Sequence, residues 1–404
     1  MKFSKLSQLF LVSGIGLIVA TLLTACELVT IDYVFVACSA GASPGSAGEI
    51  YTYAVDSESG ALRTGQPTVP SGGTNPVAMA TTSDYYNLYV ANQGSKTVVH
   101  FSIDDHGVLT QKDSVTLATV PVSIAVNSAN TYLYVVSGTS SATLTEYALS
   151  SGTIGSAVAT VQLAVPGYAG DTIVPTGVTV LANSGAVYVA AYDQSAYNPG
   201  GSTTSNANPG WLFGYAVGSG GALTAVANSP YQAGVKPSAL ATDPVNRFVY
   251  VTDFASNELI GYTVLSSDAL DFMVSGPFRS GAEPTAVTID PRGIYIYLSN
   301  ALDSTVSAYS IILSTGVPSA VVNTSSTSGT NPTDTEPVAI IVDPALARFV
   351  YTANYLGNSV SGFRLDPNTG VLSTLQATPY PTGAYPKALA AVPHGNHSTQ
   401  SVTP

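Results

Sequence analysis

One pattern of alternating apolar and polar positions recurs along the chain. Residues 348–363 read RFVYTANYLGNSVSGF, and residues 247–262 read RFVYVTDFASNELIGY. Related segments occupy residues 86–101, 131–147 and 294–309. In each segment an alternating aromatic and β-branched strand runs into a polar turn and then into a second strand. Period-two alternation around turns of Gly, Asn, Asp and Ser predicts a β-hairpin.

Two further strands complete each repeat. A shorter apolar stretch that opens with proline precedes the hairpin, as in KPSALATDP and EPTAVTIDP. Its Asp-Pro pairs, such as Asp243-Pro244, predict tight turns, because aspartate accepts local backbone hydrogen bonds and proline presets φ. A turn ending in Gly and Leu or an equivalent, as in DPNTGVL, leads to the fourth strand. One repeat is therefore expected to be four antiparallel strands without a helix.

The opening prolines give the number of repeats. They are spaced 45 to 62 residues apart, at Pro76, Pro121, Pro175, Pro237, Pro284, Pro337 and Pro386. Six complete units lie between them, and a seventh is split between residues 385–393 and the N-terminal segments YVFVACS and EIYTYAVD. Such lengths suit propeller blades, and a blade shared by both chain ends closes the ring without open edges. The sequence predicts an all-β, seven-bladed β-propeller of four-stranded antiparallel blades. An array of β-sandwiches, the alternative, explains neither the split unit nor the count.

The strand motifs FVYVTD, FVYTAN and LYVANQGSKTV, preceded by P-x-A-x-x-x-D-P, resemble a known family between about Tyr33 and Pro393. The chain is similar to the lactonase-type seven-bladed propellers, which include bacterial 6-phosphogluconolactonase and fungal carboxymuconate-lactonizing enzyme, and to the YVTN repeat propellers of bacterial surfaces. The resemblance implies the propeller fold, and with it the expectation that an enzymatic role would be lactone hydrolysis or cyclization.

The family's catalytic residues do not carry over to this sequence. Lactonase-type members often have histidine before the opening proline, and the cyclizing enzymes are thought to use His, Arg and Glu in the central cleft. None of the seven positions is histidine here: they are Asn75, Val120, Val174, Lys236, Glu283, Glu336 and Tyr385. The four histidines, His100, His106, His394 and His397, lie elsewhere.

The N-terminus predicts export and lipidation. Two lysines precede the apolar stretch LFLVSGIGLIVATLL, which is typical of a secretory signal. The sequence LTAC that follows resembles the lipobox of bacterial lipoproteins, by which Cys26 would be acylated and would anchor the protein to a membrane. A signal with a cysteine nearby by chance is the alternative. We expect a signal over residues 1–26, the propeller over 27–397 and a tail over 398–404, in a protein held at the bacterial periplasm or cell surface.

Composition excludes some partners. Of 12 Lys and Arg residues two lie in the signal, which leaves ten against 24 acids and a formal charge of −14. Nucleic-acid binding needs a basic surface, so no nucleic-acid partner is expected.

Cys38 has no cysteine left to pair with and is predicted to be a buried, inert thiol. No metal or cofactor motif occurs, so none is predicted, and we expect a monomer.

Long insertions indicate which face of the propeller is the functional one. They span residues 165–174, 193–210 and 323–336, and strand alternation places all three on the face where the first strands begin. Insertions gathered on one face are typical of a binding face, although tolerated decoration is the alternative. Trp211, Tyr192 and Tyr197 are aromatic candidates for ligand binding there.

The residues before the opening prolines should surround the channel mouth on that same face. Lys236, Glu283, Glu336, Tyr385 and Asn75 would form a polar arc. Two carboxylates on adjacent blades could raise each other's pKa and serve as acid and base, with Lys236 offsetting one of them. The alternative is that these are solvated residues before a proline.

Three functions therefore remain open from the sequence. The first is an anchored propeller that binds a small molecule, a glycan or a protein on its insertion-bearing face. The second is a lactone hydrolase or cyclizing enzyme using Glu283, Glu336 and Lys236, and the third is a structural envelope protein. Fold alone does not choose among them, because propellers serve all three purposes.

Overall fold

The structure, a computed structural model, describes residues 29–41, 43, 45–166, 172–195, 209–323, 330–395 and 402. It consists of seven antiparallel sheets. We number the sheets as blades 1 to 7 in chain order, with blade 1 holding strands from both ends of the chain. The described residues contain one short helix, a 3₁₀ turn at Ser219–Gly221. None of their helices is long and apolar enough to cross a membrane.

The first three blades contain thirteen strands, including the C-terminal one. Blade 1 contains β1 (Thr30–Ser39), β2 (Ala47–Asp56), β3 (Leu62–Thr64), β4 (Val69–Thr74) and the final strand β33 (Pro386–Pro393). Blade 2 contains β5 (Pro76–Thr81), β6 (Asn87–Asn92), β7 (Thr97–Ile103) and β8 (Leu109–Thr116). Blade 3 contains β9 (Pro121–Val126), β10 (Tyr132–Ser137), β11 (Thr143–Ser150) and β12 (Thr153–Gln162).

The next two blades contain ten strands. Blade 4 contains β13 (Ile173–Val180), β14 (Ala186–Asp193), β15 (Gly210–Val217), β16 (Leu223–Ala225) and β17 (Tyr231–Gln232). Blade 5 contains β18 (Pro237–Thr242), β19 (Phe248–Asp253), β20 (Glu258–Val264), β21 (Leu270–Phe272) and β22 (Phe278–Arg279).

The last two blades contain ten more. Blade 6 contains β23 (Pro284–Ile289), β24 (Tyr295–Asn300), β25 (Thr305–Ile311), β26 (Pro318–Ala320) and β27 (Asn331–Pro332). Blade 7 contains β28 (Pro337–Val342), β29 (Phe349–Asn354), β30 (Ser359–Leu365), β31 (Leu372–Thr374) and β32 (Tyr380–Pro381). In blades 1 and 4 to 7 the fourth position is occupied by two short strands that pair with the same third strand.

The predicted ring and its closure are confirmed. The strand that opens each blade contacts the opening strands of both neighbours, from β33 through β5, β9, β13, β18, β23 and β28 back to β33. Within blade 1, β33 pairs with β1, so that Val34 lies opposite Ala391. The opening strands run from one face of the disc, which we call the upper face, to the other, the lower face. Both the turns from first to second strands and those from third to fourth strands lie on the lower face.

The core lies between the blades, which is why the repeats resemble one another. Apolar side chains of one blade's face pack against the next blade, as Val34, Val36 and Cys38 of blade 1 do against Phe349 and Tyr351 of blade 7. Neither face of a four-stranded sheet can be buried by the blade alone, so each blade needs a similar neighbour. Cys38 is buried as predicted, and burial raises the pKa of its thiol to about 12.

A recurring tyrosine joins the blades. The tyrosine in the middle of the second strand donates its hydroxyl hydrogen bond to a turn carbonyl of the following blade at five of the seven junctions: Tyr89 to Gly152, Tyr188 to Asp268, Tyr250 to Gly316, Tyr297 to Gly370 and Tyr351 to Gly60. The repeated tyrosine of the sequence motif is thus an inter-blade contact, and buried polar groups need such partners.

The Asp-Pro pairs form lower-face turns, as predicted. Asp243 accepts hydrogen bonds from the backbone N–H groups of Arg247 and Phe248, and its other oxygen lies 2.6 Å from Arg247 Nε. Asp290 repeats the arrangement with Arg292 at 2.7 Å. These buried carboxylates are therefore satisfied by local donors and end the first strands at defined positions.

Candidate active site at the upper mouth of the channel

The seven opening strands surround a central channel with a cavity of about 300 Å³. Its wall has three layers. The layer after the opening prolines consists of Val77, Val122, Thr176, Ser238, Thr285, Val338 and Lys387; the middle layer consists of Ala78, Ser123, Gly177, Ala239, Ala286, Ala339 and Ala388; the lower layer consists of Met79, Ile124, Val178, Leu240, Val287, Ile340 and Leu389. The strands converge at the axis, so the middle layer admits only small side chains: a Cβ at Gly177 would lie 2.7 Å from Leu240 Cδ2.

Lys387 is the charged side chain that lines this cavity. It occupies a β-bulge, because Pro386 pairs with Cys38 and Ala388 with Ala37, which leaves Lys387 as the extra residue. Bulges redirect a side chain out of the regular alternation, and this one lines the channel with Lys387. Its Nζ donates a 2.6 Å hydrogen bond to Asn75 Oδ1 and lies 5.5 Å from the centre of the Tyr355 ring. Burial lowers the pKa of this ammonium group.

Asn75 holds Lys387 in place. It is buried and adopts φ 52°, a left-handed conformation that asparagine tolerates better than most residues. Its Oδ1 also accepts a 3.2 Å hydrogen bond from Ser39 Oγ, and its Nδ2 donates to Gln93 Oε1 at 2.9 Å. The amide is thus oriented by three side chains from blades 1 and 2.

The two glutamates precede the opening prolines of adjacent blades, 6 and 7. Glu283 and Glu336 are half-buried and have φ of 55° and 58°. The backbone N–H of Glu283 donates to Asn257 Oδ1 at 2.7 Å, and the carbonyl of Glu336 accepts from the N–H of Tyr355 at 2.7 Å. Burial first, and then the charge of Glu283, raise the pKa of Glu336. Strained left-handed residues of this kind cost about 1–3 kcal/mol each and concentrate at functional sites.

Tyr355, packed against Tyr385, lies between Glu336 and Lys387. The rings of Tyr355 and Tyr385 lie 5.2 Å apart between centres, inclined by 47°. Burial raises the pKa of Tyr355, followed by the charge of Glu336 and then Tyr385. Tyr385 has φ 52°, and its N–H donates to Asn358 Oδ1 at 2.8 Å. We call Asn75, Glu283, Glu336, Tyr355, Tyr385 and Lys387 the mouth cluster.

The remaining predicted residues have other contacts or lie outside the described residues. Lys236 Nζ lies 4.6 Å from the ring centre of Phe254 and 5.6 Å from that of Tyr192. Trp211 is 8% exposed and packs in the apolar core formed by blades 3 and 4, so little of its ring is available to a ligand. Tyr197 and Cys26 lie outside the described residues.

A comparison of the sequence with protein families identifies this fold independently. The family described as "Lactonase, 7-bladed beta-propeller" matches residues 41–398. The chain belongs to this lactonase family. No curated protein sequence matches the chain significantly.

Solved structures agree with that family at the level of the fold. The periplasmic gluconolactonase of Pseudomonas aeruginosa superposes with a TM-score of 0.72 at 16% identity, covering 91% of this chain and 100% of that one. A putative 6-phosphogluconolactonase from Bacteroides fragilis gives 0.68 at 17% identity over 91% and 99% of the two chains. One from Bacteroides uniformis gives 0.69 at 17% identity over 90% and 99%. Identities this low establish the shared propeller alone.

This lactonase-family propeller departs from the histidine chemistry expected of its relatives. His100 is buried, with Nδ1 2.8 Å from Asp113 Oδ2 and Nε2 2.8 Å from Asn87 Oδ1, and stacks on Tyr89. It therefore belongs to the interior of blade 2. Within the described ranges no group of three or more His, Cys, Asp or Glu side chains is placed to hold a metal ion.

Sequence reasoning missed two members of the mouth cluster. Lys387 follows an opening proline, and the other six positions of that type are uncharged, which is a signal visible in the sequence. Tyr355 follows the second strand of blade 7 and is not distinguishable there from other turn residues. Lys387 requires the bulge to reach the channel, and Tyr355 requires the packing of blades 7 and 1.

The mouth cluster combines groups suited to acyl transfer to water. A half-buried carboxylate beside a second one can accept a proton from water. An ammonium group that lines a small cavity can stabilise the negative charge that develops on a carbonyl oxygen. The narrow middle layer of alanine, serine and glycine leaves space beneath them for the body of a small ligand.

Proposed function

We propose that this protein is an extracytoplasmic, lipid-anchored lactone hydrolase whose site is the mouth cluster. The observation that carries the proposal is the meeting of Lys387, held by Asn75, with the Glu283–Glu336 pair through Tyr355 at one end of the channel. The family adds support, because it is named for lactonases. So does the fold shared with the periplasmic gluconolactonase of Pseudomonas aeruginosa.

The proposed reaction is the addition of water to a lactone carbonyl. Glu336, or Glu283 beside it, accepts a proton from water as its oxygen attacks the carbonyl carbon. Lys387 and the Tyr355 hydroxyl stabilise the oxyanion of the tetrahedral intermediate. The C–O bond of the ring then breaks, and the leaving alkoxide takes the proton from the carboxyl group. The product is the open hydroxy acid, and no oxidant or cofactor is needed.

We infer that the substrate is a lactone without a phosphate group. The cluster contains one ammonium group that lines the channel, Lys387, and two carboxylates. A phosphate dianion placed there would face Glu283 and Glu336, whose negative charges would oppose its binding. Arginine, the usual ligand for phosphate oxygens, does not line the channel. An exported protein would also meet sugar lactones outside the cytoplasm, where the phosphorylated metabolite is not expected.

The test is turnover of a panel of neutral sugar and aliphatic lactones against spontaneous hydrolysis. We expect Glu336→Gln to lower kcat by about 10²–10⁴, which is the usual contribution of a general base. Glu58→Gln, an exposed residue of the lower face, is the matched control and should not change kcat. Turnover that survives in the Glu283→Gln/Glu336→Gln double variant would refute the proposed site.

The binding function expected from the sequence is the second candidate. Lys236 with Phe254 and Tyr192 supports it, because a cation close to two aromatic rings suits recognition of a ligand without catalysis. Calorimetric titration with the unreacted lactone or its hydroxy acid separates the two proposals. Saturable binding without turnover by the wild-type protein would favour the binding function.

A further inference from the structure

We propose that the lower face of blades 5, 6, 7 and 1 rests on the lipid bilayer, so that the mouth cluster opens away from the membrane. This inference rests on the lipid anchor in the proposed function and adds an orientation and a contact surface to it. It is independent of whether the mouth cluster is catalytic.

The first observation is where the N-terminal chain meets the disc. Strand β1 is the second strand of blade 1, and it runs from the lower face to the upper face, antiparallel to β33. The described chain therefore begins at Val29 on the lower face, where the Val29 carbonyl accepts from the N–H of Ser57 in a lower-face turn. Cys26 precedes Val29 by three residues, a span of at most about 11 Å. An acyl anchor on Cys26 would thus hold the lower face close to the lipid.

The second observation is a set of exposed apolar side chains around that point. Among the described residues, large hydrophobic side chains more than a third exposed occur on the lower-face turns of five consecutive blades, the last of them Tyr86 of blade 2. We call those of the other four blades the lower arc: Val245 and Leu265 of blade 5, Ile312 and Leu313 of blade 6, Leu346 of blade 7 and Val29 of blade 1. Exposed apolar groups gathered on one surface are typical of a membrane or protein contact. A bilayer is the occupant that the adjacent anchor specifies.

The charges of these turns are compatible with a lipid surface. Five arginines lie on or beside them: Arg63, Arg247, Arg292, Arg348 and Arg364. The guanidinium groups of Arg247, Arg292 and Arg364 donate to carbonyl groups of the following blade, as when Arg247 Nη2 donates to the Gly293 carbonyl at 2.9 Å. All five side chains remain at least partly exposed. Exposed acids of the same turns, Glu58 and Asp366, are at the headgroup level in this placement. Long cationic side chains can reach headgroups while their stems cover apolar surface.

The consequence concerns the route of the substrate. The mouth cluster lies on the upper face, at the opposite end of the channel from the lower arc. A ligand would therefore arrive from the aqueous phase rather than from the bilayer. Two layers of the channel wall separate the mouth from the lipid side. They are the middle layer of small side chains and the apolar lower layer, which includes Met79 and Leu389.

Site-specific labelling tests the orientation on the anchored protein. The full chain, produced in a bacterium that acylates lipoproteins, would be reconstituted into phosphatidylethanolamine–phosphatidylglycerol vesicles containing nitroxide lipid. Single cysteines would carry a fluorophore at Ile312→Cys and Leu346→Cys on the lower arc. Leu302→Cys and Leu356→Cys, exposed leucines of the upper face, are the matched controls. The native Cys38 is buried and would not react.

We expect nitroxide lipid to quench the two lower labels several-fold more than the two upper labels. We further expect Leu265→Ser/Leu313→Ser to reduce quenching at Leu346→Cys, because the lower arc would then hold the face less closely. Equal quenching at all four positions, or stronger quenching at the upper positions, would overturn the orientation.

The mass of the N-terminal peptide separates this inference from the anchor itself. Absence of acyl groups on Cys26 would refute the anchor. In that case the same four labels would be measured on residues 27–404, attached by an N-terminal histidine tag to nickel-chelating lipid. Their quenching would then test the membrane-contact surface without the natural anchor. Loss of lactone turnover would bear on the mouth cluster and on neither of these results.

Discussion

The hydroxyl of Tyr351 donates a 2.7 Å hydrogen bond to the carbonyl of Gly60, which lies 291 residues earlier in the chain. Both groups are buried at the junction between blades 7 and 1. Gly60 has φ 72°, and a Cβ there would lie 2.4 Å from Phe349, so this position in the sequence requires glycine. Four other junctions contain an equivalent tyrosine–carbonyl hydrogen bond. The bond between Tyr351 and Gly60 is the one at the junction that closes the ring.

Removing this hydroxyl should destabilise the protein. Tyr351→Phe leaves the Gly60 carbonyl buried without its donor, which costs about 1–3 kcal/mol in free energy of unfolding. Tyr250→Phe removes the equivalent bond to Gly316 between blades 5 and 6 and should cost a similar amount. Urea unfolding of both variants measures the difference. Unchanged unfolding midpoints in both would show that these bonds do not stabilise the ring.

The same junction contains a pair of buried acids that should make stability depend on pH. Asp343 accepts hydrogen bonds from the N–H groups of Leu346, Arg348 and Phe349, and its carboxylate contacts the carboxyl of Asp32. Burial and then the charge of Asp343 raise the pKa of Asp32 well above its ordinary value. Asp32 therefore binds a proton in the folded state at pH values where the unfolded chain has released it.

For such a group stability is greatest below the unfolded pKa of about 4 and falls as pH rises toward the folded pKa. Asp32→Asn supplies an N–H donor to Asp343 without needing a proton. We expect this variant to be more stable than wild type at pH 8 and to differ little at pH 4.5. Thermal unfolding across that range tests this, with the exposed Asp105→Asn as the control. A larger gain at pH 4.5 than at pH 8 would contradict the assignment.

Glu146, at a different junction, should also make the stability of the protein decrease as pH rises. It is fully buried in β11, where burial raises its pKa to about 7, an effect that the neighbouring Tyr134 side chain partly offsets. The Tyr134 hydroxyl is buried without a hydrogen-bond partner among the described residues, so the junction between blades 3 and 4 lacks the usual tyrosine–carbonyl bond. Stability from protonated Glu146 should be complete below about pH 4.5 and should be lost as pH rises to about 7.

Glu146→Gln keeps the shape and removes the charge. We expect it to stabilise the protein at pH 8 by about 3 kcal/mol, given that the pKa is raised from 4.5 to about 7 and each pKa unit corresponds to about 1.4 kcal/mol. Urea unfolding at pH 5 and pH 8 provides the comparison, and a smaller effect is expected at pH 5. A variant that is equally destabilised at both pH values would indicate that Glu146 acts through packing rather than titration.

Lactone turnover should have a bell-shaped pH profile. The acid limb reflects Glu336, whose pKa is raised, so activity should rise at higher pH than for an ordinary glutamate. The alkaline limb reflects Lys387, whose pKa is lowered, so activity should fall below the pH at which an exposed lysine loses its proton.

Lys387→Met should abolish the alkaline limb and lower kcat by about 10²–10³, as loss of an oxyanion-stabilising group does elsewhere. Lys112→Met, on the exposed outer strand of blade 2, is the control for a change in net charge. An alkaline limb that persists in Lys387→Met would assign that titration to another group.

Much of the fold could be predicted because its determinants are local and repeated. The alternation in RFVYVTDFASNELIGY specifies a hairpin, Asp-Pro specifies the lower turn, and the spacing of prolines specifies seven units. The split seventh unit specifies closure. The candidate site was predictable only in part: the residues before the prolines identified Glu283, Glu336, Tyr385 and Asn75, because the same position in each repeat reaches the same place in the ring.

The sequence by itself determined the propeller, its closure and the face that bears the insertions, since each follows from short-range patterns that repeat. Tertiary structure decided which side chains meet. Lys387 enters the channel through a bulge, the Tyr355 ring reaches Lys387 from neighbouring blade 7, and Trp211 lies in the core between blades. Asp32 and Asp343 meet across the closing junction although 311 positions separate them in the chain. Contacts of this kind depend on how neighbouring blades pack, and no local pattern of residues encodes that geometry.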